Sequence, residues 1–183
     1  MANVDTSKMR PGMRVELDGG EPWLITQYQH VKPGKGGAFV RLKLKSLVSG
    51  SVIDRTLKGG ESLPLANVET RSMQYLYREG EQLVFMDQQS YEQLEVPEAT
   101  IENRDLIPES CEVEVLLHDD APIGVRLPNF VVLEVAETDP PQKGSRLKPA
   151  RLTTGAVIQV PSFIDRGERL KIDTRDRSYV ERA

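Results

Sequence analysis

Lys35 is the residue whose surroundings most invite a chemical interpretation, because it stands among small residues in the segment HVKPGKGGAFVR. The loop that would support it consists of Lys32, Pro33, Gly34, Gly36 and Gly37. A lysine side chain can act as a nucleophile or Schiff base, bind a phosphate in a P-loop, or project as an exposed arm. Each role needs different surroundings, so the neighbouring residues discriminate between them.

The segment disfavours the first two roles. A nucleophilic lysine needs a pKa lowered by burial or by a neighbouring cation, and a glycine-flanked turn offers no burial. The P-loop pattern GxxxxGK[ST] is absent, and no helix is expected after the segment. Two interpretations remain: an arm offered to a partner or a modifying enzyme, and an ordinary solvent-exposed turn. Residue spacing alone does not choose between them.

The rest of the chain shows no catalytic set and no metal-binding pattern. His30 and His118 have no cysteine or second histidine nearby, and the single cysteine, Cys111, excludes a CxxC motif. Serines occur without the G-x-S-x-G pattern of a nucleophile elbow. We therefore expect a protein that is not an enzyme and holds neither a metal nor a dissociable cofactor.

An alternating strand must carry the lysine loop. In AFVRLKLK the apolar side chains point to one face, and the basic residues Arg41, Lys43 and Lys45 point to the other. The preceding segment WLITQYQHV also has the character of a strand, so the two form a hairpin with KPGKGG at its tip. No Asp or Glu occurs from Pro22 through Ile53. This face is either a surface that attracts phosphates or an ordinary solvated strand face.

The same period of two recurs along the chain. A second hairpin is predicted from SMQYLY and QLVFMD, and a third from CEVEVLLHD and PIGVRL. FVVLEV, AVIQV and RLKIDT are further strands, and SYVER pairs back on the last of them. Only EATIENRDLI suggests a short helix, and SLPLANVET suggests a linker. The aromatic residues of these strands are expected in the core: Tyr75, Tyr77, Phe85, Phe130 and Phe163.

The pattern of short strands and frequent turns predicts an all-β fold of small barrels, in three blocks of about 60 residues. The predicted domains are residues 1–65, 66–128 and 129–183. The chain has 183 residues, 38% hydrophobic, with a net charge of -4 and one cysteine, which indicates a reducing compartment. The segment MANVDTSKMRPGM is no signal peptide, and no apolar run has the length of a membrane span. We expect a soluble, cytoplasmic protein that does not bind membranes.

Several long segments resemble the elongation factor P family of bacteria. HVKPGKGGAFVRLKLKSLVSGSVIDRTLKGGE is similar to its first domain, and MQYLYREGEQLVFMDQQSYEQLEVP to the start of its second. LPNFVVLEVAETDPP, TTGAVIQVPSFID and GERLKIDTRDRSYVER are similar to its third. The resemblance implies an SH3-like, KOW-type barrel followed by two OB-folds, in a monomer with an L-shaped arrangement that mimics tRNA.

The resemblance also implies a function. Members of the family bind the 70S ribosome between the peptidyl and exit sites and relieve stalling at consecutive prolines by positioning the peptidyl-tRNA. The first domain would lie along the acceptor stem, with the hairpin tip at the CCA end, while the basic face contacts tRNA or ribosomal RNA. Lys35 matches the position that relatives extend covalently, which implies a lysine-modifying enzyme as a partner.

The C-terminal segment both matches and departs from the family. Tyr179 and Arg182 match the family's terminal tyrosine and arginine, and the resemblance implies that they contact RNA. Many members carry TGEY, whereas this chain has Asp176, Arg177 and Ser178 before the tyrosine, and its QKGSRL loop is short. An alternative is therefore an OB-fold nucleic-acid-binding protein, a diverged paralogue without ribosome rescue activity.

Overall fold

The fold is that of a computed structural model, which describes residues 2–183; Met1, the first residue of the predicted 1–65 domain, lies outside them. Within these residues there are sixteen β-strands and three single turns of 3-10 helix, and no α-helix. The predicted all-β class is confirmed. No helix within the described range is long and apolar enough to cross a membrane.

The chain divides into two compact units. The first takes the chain up to Thr70 together with Leu116–Gly124, and the second contains Arg71–Val115 and Val125–Ala183. These units are defined by packing, whereas the division at residues 65/66 and 128/129 came from sequence pattern and stays a prediction.

The first unit contains a four-stranded antiparallel sheet in the order β2-β3-β4-β5 and a ribbon of β1 with β6. The strands are β1 Asn3–Asp5, β2 Arg14–Leu17, β3 Glu21–Val31, β4 Phe39–Ser46, β5 Val52–Lys58 and β6 Ser62–Pro64. The linker predicted for SLPLANVET is wrong at both ends, because Ser62–Pro64 is β6 and Val68 already begins the next strand. Ser62–Pro64 is a strand because it finds a backbone partner in Asn3–Asp5, across most of the unit's sequence.

The predicted two faces of β4 are confirmed. Val40, Leu42 and Leu44 are each at most 1% exposed, while Arg41 and Lys45 between them are exposed. The buried face joins a core supplied by alternate residues of the neighbouring strands, which contains Val4, Met9, Val15, Leu17, Trp23, Ile25, Val40, Leu42, Leu44 and Leu57. Burying such side chains stabilises the fold by about 1.5–3 kcal/mol each, so the outward side chains are free for other roles.

A five-stranded sheet follows, in the order β11-β10-β7-β8-β9. Its strands are β7 Val68–Glu79, β8 Gln82–Asp87, β9 Gln93–Pro97, β10 Glu112–His118 and β11 Ala121–Arg126. The second and third predicted hairpins are confirmed as β7–β8 and β10–β11. Asp119 and Asp120 form the turn of the latter with φ of 49° and 66°, the left-handed values that a two-residue hairpin turn requires.

The helix predicted in EATIENRDLI is realised as two separate 3-10 turns, Glu98–Thr100 and Arg104–Leu106. Asn103 stands between them with φ 56° and ψ 33°. A left-handed residue cannot continue a right-handed helix, so the segment breaks there. The break carries Leu106 into the core of the following barrel, where it is fully buried.

The last barrel contains β12 Phe130–Thr138, β13 Leu147–Leu152, β14 Val157–Pro161, β15 Arg169–Asp173 and β16 Ser178–Arg182. They pair in the order β14-β13-β12-β15-β16, and the predicted return of SYVER onto RLKIDT is confirmed. Inward positions such as Val131, Leu133 and Val135 alternate with outward ones along β12. Leu106 completes the core of this barrel, although the whole β10–β11 hairpin separates it from β12 in the sequence.

The prediction that the aromatic residues are core residues is only partly right. Phe85 is buried, but Tyr77, Phe130 and Phe163 are 48%, 44% and 56% exposed. Phe130 points outward because its neighbour Val131 points inward. Cations cover two of these three rings, with Lys171 Nζ 4.9 Å from the ring centre of Phe130 and Arg182 Cζ 4.8 Å from that of Phe163, a geometry that stabilises such rings in water.

Arg177 ties the C-terminal hairpin to the segment that supplies Leu106. Its two guanidinium nitrogens each lie 2.7 Å from a carboxylate oxygen of Asp105, and one is 3.1 Å from Oδ1 of Asn103. These hydrogen bonds from Arg177 hold the pKa of Asp105 below its usual value. Arg177 has φ 59°, a strained value for an arginine, and the bidentate contact offsets that strain.

We predict that Asp105→Asn lowers the free energy of unfolding by about 1 kcal/mol at neutral pH, the upper range for a partly exposed ion pair. The pKa of Asp105 is depressed in the folded state, so its contribution is present above the unfolded pKa and is lost as pH falls through the folded pKa. Urea unfolding at several pH values measures both effects. Glu102→Gln, at an exposed carboxylate of the same segment, is the control and should change the free energy of unfolding little. If the stability difference between Asp105→Asn and the wild-type chain did not depend on pH, the role assigned to the Asp105 carboxylate would be contradicted.

Candidate functional site

The loop between β3 and β4 runs from Lys32 to Ala38 and carries Lys35 at its tip. All six predicted loop residues are exposed: Lys32, Pro33, Gly34, Lys35, Gly36 and Gly37. Gly36 has φ +105°, which an L-amino acid rarely adopts, whereas Gly34 and Gly37 have no positive φ. A Cβ atom at any of the three glycines would meet no atom within 4 Å. The protein's own fold therefore needs a glycine at Gly36 alone of these three.

The root of the loop is fixed. Val31 pairs with Phe39 at the end of the hairpin, and Val40, the next residue, is 1% exposed in the core. The N–H of Gly59 donates to the carbonyl oxygen of Ala38 at 3.0 Å. A Cβ at Gly59 would lie 3.2 Å from that oxygen, which is tight, so a larger residue there would require the loop root to shift slightly. A bare tip thus rises from a well-anchored base.

These surroundings define what Lys35 can do. Its side chain is exposed to solvent, and no ion pair joins it to a carboxylate of residues 2–183. Nothing in this setting prepares the amine for attack on a bound substrate. The setting suits an amine that is offered to a modifying enzyme or inserted into a partner. Both interpretations that the sequence left open, an exposed arm and an ordinary solvent-exposed turn, agree with this geometry, so the role of Lys35 stays a prediction.

The basic face lies on the outer side of the same sheet. Arg41 and Lys45 are exposed, and Lys43 is half-buried. Arg41 packs its guanidinium 5.5 Å from the ring centre of Phe39. Arg41 and Lys43 also line an open depression of about 890 Å³ with Tyr28, Gln27, Gln29, Thr26, Thr56, Asp54 and neighbouring residues. Amide, hydroxyl and cationic groups of this kind suit phosphate and sugar contacts.

Sequence reasoning missed one member of this surface. Asp54 on β5 lies directly opposite Lys43 in the strand register, one residue beyond the acid-free stretch of the sequence. Side chains that face each other in this way are about 4.5–5.5 Å apart at Cβ. The face is therefore less uniformly basic than the sequence suggests, and Arg41 and Lys45 are its cations that face no acid across the strand pair: Arg41 opposes Gln29 and Thr56, and Lys45 opposes Leu24 and Val52.

Tyr179 and Arg182, the predicted C-terminal contacts, belong to the second unit, whereas the lysine loop belongs to the first. Tyr179 is half-buried and packs against the core of the last barrel. Arg182 is exposed, with Nε 3.0 Å from Oε1 of Glu168 and its guanidinium over Phe163. Arg182 is thus held in place by two neighbours that sequence inspection did not connect with it.

Solved structures with this architecture are translation factors. The chain is similar to the eukaryotic translation initiation factor 5A from Methanococcus jannaschii, with a TM-score of 0.55 and 25% identity over 66% of this chain and 90% of that one. A translation initiation factor eif-5a family protein from Naegleria fowleri shares the fold, with a TM-score of 0.54 and 17% identity over 69% of this chain and 98% of that one. The chain thus has a translation factor fold built from small β-barrels.

Family models assign the three parts of the chain in order. Residues 5–63 match the elongation factor P KOW-like domain, residues 68–125 its OB domain, and residues 131–182 its C-terminal domain. The chain is 48% identical to elongation factor P of Synechococcus sp. (strain JA-2-3B'a(2-13)), over 98% of this chain and 99% of that protein. It is 46% identical to that of Nitratidesulfovibrio vulgaris (strain DSM 19637 / Miyazaki F), over 97% and 98%. The chain belongs to the elongation factor P family.

We predict different folding effects for the loop glycines. Gly36→Ala should lower the free energy of unfolding by about 1 kcal/mol because its φ is positive. Gly34→Ala should be neutral or slightly stabilising, by up to about 0.5 kcal/mol, because its backbone is ordinary and the space is open. Urea denaturation of both variants and of the wild-type chain measures the difference in stability. Equal effects would contradict the assignment of the strained position to Gly36.

Proposed function

We propose that this elongation factor binds the ribosome between the peptidyl and exit sites and stimulates peptide-bond formation at consecutive prolines by positioning the peptidyl-tRNA. It does so in the cytoplasm, as a non-enzyme. The observation that carries the proposal is Lys35, exposed on a glycine-bounded loop with a fixed root, in a chain whose three parts all match the family.

The proposed mechanism is positional. Proline is a poor nucleophile, and its ring restricts the nascent chain, so reactive geometry is rarely reached unaided. An arm that holds the CCA end and the attached peptide in that geometry lowers the barrier without contributing a reacting atom. The base of the loop is fixed by the hydrogen bond from the N–H of Gly59 to the carbonyl oxygen of Ala38. This favours a positional mechanism, because small errors in the position of the arm would weaken its effect.

The bare glycines support a close partner. Gly34 and Gly37 are required neither by backbone conformation nor by contacts within the protein. A glycine in such a position allows another molecule to approach the backbone. We infer that the loop enters a narrow site beside RNA, where a side chain at either position would collide. A covalent extension of Lys35 by a modifying enzyme would lengthen the reach of the arm.

The basic face would hold the acceptor stem of the peptidyl-tRNA or ribosomal RNA. Contacts from Arg41, Lys43 and Lys45 to phosphates fix register and orientation without reading sequence. Tyr179 and Arg182 would provide a second RNA contact from the last barrel. There the carboxylate of Glu168 and the ring of Phe163 hold the guanidinium of Arg182 in one orientation.

The alternative, an OB-fold nucleic-acid-binding protein without rescue activity, rests on the departures at the C-terminus. Arg177 stands where many members have the glycine of TGEY, and it binds Asp105. Such a protein would bind RNA yet fail to relieve stalling. A translation assay on a template with consecutive proline codons, run beside a ribosome-binding assay, separates the two functions.

We predict that Lys35→Ala abolishes rescue of proline-rich translation and leaves the fold intact, since exposed side chains of this kind alter stability by about 0.5 kcal/mol or less. The assay compares full-length product from a polyproline template with product from a proline-free template. Lys8→Ala, at another exposed lysine of the first unit, is the control. Intact-mass spectrometry of the native protein establishes whether Lys35 is extended. Normal rescue by Lys35→Ala would refute the proposed role of Lys35 as a positioning arm.

We predict that Arg41→Glu combined with Lys43→Glu weakens ribosome binding. Binding by the wild-type protein should fall as the salt concentration rises. The double variant should also show a shallower salt dependence, because it neutralises fewer phosphates. Lys143→Glu with Arg146→Glu makes the same charge change at exposed positions of the last barrel, and it should weaken binding less. Equal loss in both double variants would mean that net charge, rather than this face, controls affinity.

A further inference from the structure

His118 lies between two carboxylates in the first unit. Its Nε2 atom is 3.1 Å from Oε1 of Glu16 and 3.5 Å from Oδ2 of Asp119. All three donor atoms lie within 4.8 Å of one another. Glu16 belongs to β2, whereas His118 ends β10 and Asp119 opens the turn that follows. The fold therefore brings together donors that are 102 residues apart in the chain.

The backbone around these donors is well fixed. Glu16 pairs with Pro22 in the β2–β3 ladder, next to the fully buried Val15. The N–H of Asp119 donates to the carbonyl oxygen of Asn67 at 3.1 Å. The side chains of Glu16 and His118 are 14% and 15% exposed, while that of Asp119 is 64% exposed. Two donors are thus held in place, and the third borders solvent, from which water can complete a coordination shell.

The spacing of the donors fits a small divalent ion. Nitrogen and oxygen ligands at about 2.0–2.1 Å from a tetrahedral zinc ion are about 3.3 Å from each other. The distances from Nε2 of His118 to the two carboxylate oxygens, 3.1 and 3.5 Å, bracket that value, and the two oxygens lie within 4.8 Å of each other. One imidazole with two carboxylates is a donor set that suits zinc, whereas calcium takes six to eight oxygen ligands and magnesium favours oxygen and water.

The number of donor atoms at this point also favours a divalent ion. A cation can accept one donor atom from each of the three side chains, whereas a single Nε2 hydrogen cannot serve both carboxylates equally. Without a metal, the ring can satisfy one carboxylate by donating from Nε2 to Glu16. Metal binding and this hydrogen bond are therefore alternatives for the same nitrogen atom.

We propose that Glu16, His118 and Asp119 form a binding site for a divalent transition-metal ion of the zinc type. The bound ion joins strand β2 to the β10–β11 turn and stabilises the first unit by mass action. The expectation of no metal site considered only cysteine or histidine close along the chain, so it could not include Glu16. The site is independent of the role proposed for Lys35.

The test is a titration of the full chain, freed of metal, with zinc chloride in a non-chelating buffer, followed by calorimetry. We expect saturable binding with one ion per chain, and a rise in the melting temperature that a chelator reverses. His118→Ala and Asp119→Asn should each weaken binding about tenfold or more. Asp119 is largely exposed, so its variant keeps the test valid if His118→Ala folds poorly.

Matched controls identify the ligands. His30 is the other histidine of the chain and is exposed on β3, so His30→Ala should leave zinc affinity unchanged. Cys111→Ser should also leave it unchanged, because burial raises the pKa of that thiol and disfavours the thiolate that binds zinc. Paramagnetic cobalt should broaden the ring resonances of His118 and spare those of His30. Absence of saturable binding by the wild-type chain, or wild-type affinity in the His118 and Asp119 variants, would overturn the proposal.

Discussion

The period of two along short strands, with one face committed to a small core, is the constraint on which the rest of this structure depends. Because each buried side chain is followed by an outward one, burial of Val40, Leu42 and Leu44 places Arg41, Lys43 and Lys45 on the surface. The same parity turns Phe130 outward while Val131 enters the last core. Surfaces that can bind a partner are in this sense a consequence of how the cores are filled.

The lysine hairpin combines two opposite requirements within a few residues. Its base is tightly determined, since Val40 is buried and a Cβ at Gly59 would lie only 3.2 Å from the carbonyl oxygen of Ala38. At its tip, a Cβ on any of the three glycines would meet no atom within 4 Å, and only Gly36 has a positive φ. A fixed base and a bare tip suit an arm that must be delivered accurately into a confined space, as the proposed positional mechanism requires.

The C-terminal departure from the family pattern has a structural counterpart in this chain. Arg177 occupies a left-handed position, which a glycine would adopt with less strain, and its bidentate contact with Asp105 offsets the difference. Asp105 lies in the same segment that inserts Leu106 into the core of the last barrel. One polar and one apolar contact thus hold this segment to the last barrel, so the altered turn is compatible with the family fold.

The sequence by itself determined ten of the sixteen described strands, the hairpins, the exposed lysine loop and the basic side of β4, because period-two alternation and turn residues act over a few neighbouring positions. It did not indicate β1, β2, β5, β6, β9 or β13. Its resemblance to a family added the barrel types. Only the tertiary structure decided which distant residues meet: Asp54 opposite Lys43, Arg177 on Asp105, and Glu16 beside His118. It also showed that the segment expected to be helical is two 3-10 turns separated by the left-handed Asn103. Contacts between residues far apart along the chain depend on how the sheets close, and local propensity contains no information about that closure.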